Sequence, residues 1–99
     1  MGIIIGSFSA QGGQLGTTTS KATHTGTGVY EVTFSQAFST QPSVVVTPQT
    51  DNLGKGGGYV VSVSIENVSS TGFSLFIQNL SSPAQNEDAG FSFIASASN

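Results

Sequence analysis

The sequence predicts an all-β protein, a six-stranded antiparallel β-sandwich occupying residues 1–99 as a single domain. Three observations lead there. Short runs of alternating apolar and polar residues are separated by turn formers, the pattern of a sandwich or barrel. No run of ten or more positions repeats its apolar residues at helical spacing, so essentially no helix is expected. The chain has 99 residues, enough for one modest core burying roughly 60–70% of the unfolded surface, but not for two.

The strands follow in order. Ile3 to Ala10 is rich in β-formers and runs into the breakers Gln11-Gly12-Gly13-Gln14. Residues 11–27, dominated by Gly, Thr, Ser and Gln, read as a long loop that admits extended pieces near Lys21 to Thr25. From Gly28 the alternation is plain: Tyr30, Val32 and Phe34 share one side, and Val29, Glu31 and Thr33 the other. Phe38 anchors the connection to a strand that carries Val44 and Val46 on one face and Val45 on the other. Gln49 to Gly58 is a turn-forming loop. Tyr59, Val61, Val63 and Ile65 then alternate with Val60, Ser62 and Ser64. Asn67 to Gly72 turns the chain, Phe73, Leu75 and Ile77 form the next core-facing set, and Phe91, Phe93 and Ala95 the last. Val45, Val60, Phe76 and Ile94 all fall opposite the core, and an apolar set there marks a contact between subunits.

Composition narrows the function. Only 7% of residues are charged, with Lys+Arg 2 and Asp+Glu 5, against about a quarter in an ordinary soluble domain. Two cations make no footprint for a phosphate backbone, so nucleic acid is not an expected partner. Met1 to Ile5 is too short to span a bilayer, and no membrane insertion is expected. Without cysteine there is no thiolate chemistry. A single histidine, His24, excludes a multi-histidine metal site and reads as a solvated loop residue. Glu87 and Asp88 are the one acidic doublet; as neighbours they point apart and read as a solvated loop rather than an acid–base pair. The Gly54–Gly58 cluster lacks both the helix and the spacing of a phosphate loop. No cofactor, no metal and no catalytic residue is expected.

Val32-Thr33-Phe34, Phe38, Pro42 with Val44-Val45-Val46, Asp51, Val60 to Ile65, Val68 to Phe73 and Phe91-Ser92-Phe93-Ile94-Ala95 together resemble the H-type lectin domain. Ile5-Gly6-Ser7 matches its first strand. The resemblance is nearest to members on phage tail fibres and bacterial collagen-like surface proteins. It implies a trimer of sandwiches without catalytic activity, displayed on a virion or cell surface and binding a glycan or receptor. The sugar-binding members carry an arginine at the start of the fourth strand and an aromatic–histidine pair after the fifth. Here those places fall near Tyr59 or Val60 and near Leu80-Ser81, and Phe93 stands where the family often has tryptophan. The remaining candidate ligand residues are Asp51, Asn52, Tyr59, Gln78, Asn79, Asn86 and Asp88, all of them equally at home as turn formers. The alternative function is a purely structural assembly module of a fibre or shell with no specific ligand.

Overall fold

The computed structural model describes residues 2–49, 61–80 and 85–98. Asp51, Asn52, Tyr59 and Val60 lie outside the described residues. Among those described the chain is all β and antiparallel, with eight strands rather than the six expected: β1 (Gly2–Phe8), β2 (Lys21–Gly26), β3 (Val29–Thr33), β4 (Ser43–Gln49), β5 (Val61–Glu66), β6 (Gly72–Asn79), β7 (Gln85–Asn86) and β8 (Gly90–Ala97). The two additions are β2, which occupies the end of the segment read as a loop, and the two-residue β7.

One sheet has three strands in the order β1-β8-β4. The other has five, in the order β2-β3-β6-β5, with β7 also paired to β6. The division follows from what each strand can bury. Phe8, Phe91, Phe93 and Ala95 from the first sheet and Tyr30, Val32, Phe73, Leu75 and Ile77 from the second are all buried, and their rings meet across the gap. Phe73 lies edge-on to Phe93 at 5.3 Å and Tyr30 tilts against Phe91 at 5.1 Å, geometries that aromatic pairs favour over flat stacking. Phe34 joins them, with Phe38 edge-on to it at 5.2 Å. The inward alternation read from the sequence is therefore the core.

The two outer faces differ. On the three-stranded sheet Ile5, Ile94 and Val45 are cross-strand neighbours in one row. They are 66%, 52% and 63% exposed, and Ile3 beside them is 62% exposed. Their flanking residues on this face are Ser7, Ser92, Thr47, Ser96 and Ser43, none of them charged. The outer face of the five-stranded sheet carries exposed Lys21, Glu31 and Glu66, with Glu31 and Glu66 in one row across Ser74. Phe76 is half-buried on this second face, between Val29 and Ser64. Val45 and Ile94 therefore share a surface that Phe76 does not.

Candidate functional site

The candidate ligand residues that are described gather at one end of the five-stranded sheet. β3 pairs with β6 only as far as Val29↔Phe76. Beyond that point β7 takes over, pairing Gln78↔Asn86 and Asn79↔Gln85. The gap between β3 and β7 is closed by Gly28, whose carbonyl accepts from the Ile77 N–H at 2.8 Å, while the Ile77 carbonyl accepts from Glu87 N–H at 3.1 Å. Gly28 adopts φ 70°, a conformation costly for residues with a Cβ. A Cβ there would also overlap the Ile77 carbonyl oxygen and meet the Glu87 backbone N and O at 3.0 Å.

Asp88 locks this junction. Its Oδ1 accepts from the Gly28 N–H at 2.6 Å and from His24 Nε2 at 2.8 Å. His24 stacks on Tyr30 with ring centroids 4.8 Å apart and planes 17° from parallel. The Tyr30 hydroxyl donates to the Ala10 carbonyl at 2.6 Å and accepts from the Ala89 N–H at 3.3 Å. Its pKa is pushed from 10.0 up to about 12, first by burial, then by the nearby Asp88 charge, with the Ala89 hydrogen bond opposing.

His24 is thus not a solvated loop residue, and Asp88, though in the connection between β7 and β8, has its carboxylate bonded within the protein. His24 sits on β2, half-buried on the core-facing side, and Asp88 is half-buried against the β2–β3 turn. Glu87 is held in the same way, by its backbone bond to Ile77 and a 3.4 Å contact from Asn79 Nδ2 to its Oε1. Asn79 is itself buried, 6% exposed. Of the described candidates only Gln78 and Asn86 are open to solvent. Their side chains meet at 3.3 Å, Gln78 Nε2 donating to Asn86 Oδ1, and leave amide groups directed outward.

Sequence reasoning missed His24, Gly28 and Tyr30 as parts of one network. A usable signal existed in the alternation of Ala22 and His24 with Lys21, Thr23 and Thr25, which marks His24 as facing the same side as Ala22. The network holds a hydrogen-bonded His–Asp pair, and among the described residues no serine, threonine or cysteine is bonded to His24. No group of three or more His, Cys, Asp or Glu among the described residues could hold a metal ion.

An antiparallel two-sheet β fold with polar side chains gathered at one end of a sheet is the frame of many binding modules. A family model for the H-type lectin domain matches residues 29–96, more than half of the chain, and the chain belongs to this family. Neither a curated protein nor a solved structure matches it.

Proposed function

We propose that this domain is a non-catalytic carbohydrate- or receptor-binding module that works as a homotrimer on a phage tail fibre or bacterial surface. The observation that carries the reading is the match to the H-type lectin family over residues 29–96. The solvent-open amides of Gln78 and Asn86 support it, because neutral amides at a sheet end offer the donors and acceptors that sugar hydroxyls need. Asp51, Asn52 and Tyr59 belong to the same proposal as loop ligands, while Asn79 and Asp88 act by holding Gln78 and Asn86 in place.

The trimer is proposed to form through the uncharged outer face of the three-stranded sheet, with Val45 and Ile94 at its centre. The exposure of Ile3, Ile5, Val45 and Ile94 supports that choice. Val60 belongs to the same proposal, whereas Phe76, on the outer face of the five-stranded sheet, lies off that surface. A glycan array tests the binding: saturable capture of a defined sugar, weakened by Gln78→Ala with Asn86→Ala, is the expected result. Uniform silence would favour a structural assembly module, a reading that the internal commitments of Asp88 and Asn79 support.

A further inference from the structure

β1 is an edge strand of the three-stranded sheet, and the positions open along it among the described residues can be identified by alternation. In an antiparallel ladder successive residues send their N–H and C=O groups alternately to one neighbour and the other. Ser7 directs both groups away from β8: its N–H donates to Thr18 Oγ1 at 2.8 Å, and its carbonyl accepts from the Leu15 N–H at 3.0 Å. Ser9 does the same, with its N–H bonded to the Gly13 carbonyl at 2.8 Å. Ile5 and Ile3, in phase with Ser7, must direct theirs the same way. Neither makes a hydrogen bond along that edge among the described residues. Among the described residues the segment after β1 thus covers half of its edge and leaves the other half without hydrogen-bond partners. At the opposite margin of this sheet β4 is blunted by Pro48, which has no N–H to offer.

Beside the bare half lies a cleft of about 350 Å³, with Gly2–Ile4 of β1 along one wall and Gln36–Ser39 along the other. Nothing in its lining is charged. We infer that this cleft receives an extended, uncharged polypeptide strand from a partner protein, which adds to the sheet next to β1. Such a strand lies 4.7–4.9 Å from its neighbour, bonds to the N–H and C=O of Ile3 and Ile5, and sets its side chains alternately against the exposed isoleucines and against Phe38. A second copy of β1 suits the site less well, because it brings its own Gln36–Ser39 wall into the space the strand would use. The inference rests on neither the sugar reading nor the trimer, since it uses the sheet's edge rather than its outer face.

The test is amide hydrogen exchange with an end-capped peptide of alternating threonine and valine as the probe. Adding the peptide should slow exchange at Ile3 and Ile5 by about tenfold or more, leave Ile4 unchanged and saturate. A peptide N-methylated at alternate residues, which lacks the edge-facing donors, should not protect. Ile3→Pro, which removes an edge N–H but no bond to β8, should abolish protection. Unchanged exchange at high peptide concentration, or equal protection by the N-methylated peptide, overturns the inference. So does protection that rises with protein concentration alone, which would show that a second copy takes the edge.

Discussion

Tyr30 is fully buried and holds its proton to a pH two units above the ordinary value, about 12 against 10.0. In the unfolded chain the same phenol ionises near 10.0. Below that pH both states are protonated and the contribution to stability is complete. Between pH 10 and 12 the unfolded state loses a proton that the folded state keeps, so stability falls, by at most about 3 kcal/mol. Urea midpoints measured across this window should drop in the native protein. Tyr30→Phe should flatten the drop while costing about 1–2 kcal/mol at neutral pH through the lost bond to Ala10. Asp88→Ala should cost about 1–3 kcal/mol, because it leaves the Gly28 N–H without its acceptor and frees His24. Asp88→Asn, which keeps an oxygen acceptor, should cost less in the same titration.

Among the elements, the meeting of β3, β6 and β7 leaves no room for a side chain at Gly28. Gly28→Ala should destabilise by about 2–4 kcal/mol, combining a left-handed residue with displacement of the Ile77 and Glu87 backbone. Thermal unfolding checks the size, and loss of Glu87 amide protection checks the location. This junction was not legible in the sequence. β3, β4, β6 and β8, and the described part of β5, were legible because one face of each meets a core and their residues alternate accordingly. Strand β2 was harder to see, since Lys21–Gly26 places Thr, His and Gly where branched apolar residues would mark a strand. The two residues of β7 have no pattern of their own; they pair because β3 ends where β6 continues. His24 and Asp88 stand 64 residues apart in the chain, and only the topology brings them together. Gln78 and Asn86, by contrast, were legible as polar residues and are exposed.

At the scale of the molecule the difference between the two outer faces matters most. A charge placed in the row Ile5–Ile94–Val45 would have to lose its water if that face is shared between copies. Val45→Lys or Ile94→Lys should therefore move the mass in light scattering from three times the 10.0 kDa chain to a single chain. The unfolding temperature measured on the dissociated subunit should change little, because both side chains already face outward. A native mass of 10.0 kDa would remove the trimer from the proposal.

The pairing of Gly2 with Ala97 has a consequence for how the fold can be rewired. Neighbouring strands place residues 2 and 97 about 5 Å apart at one corner of the three-stranded sheet. In a variant made of residues 2–97, a short Gly-Ser bridge could join these two residues, and the chain could be reopened at the exposed turn around Ser69 and Thr71. The resulting circular permutant would keep every strand pairing while making β6 the first strand and β5 the last. It would also carry any fused cargo at the β5–β6 turn instead of beside the open edge of β1.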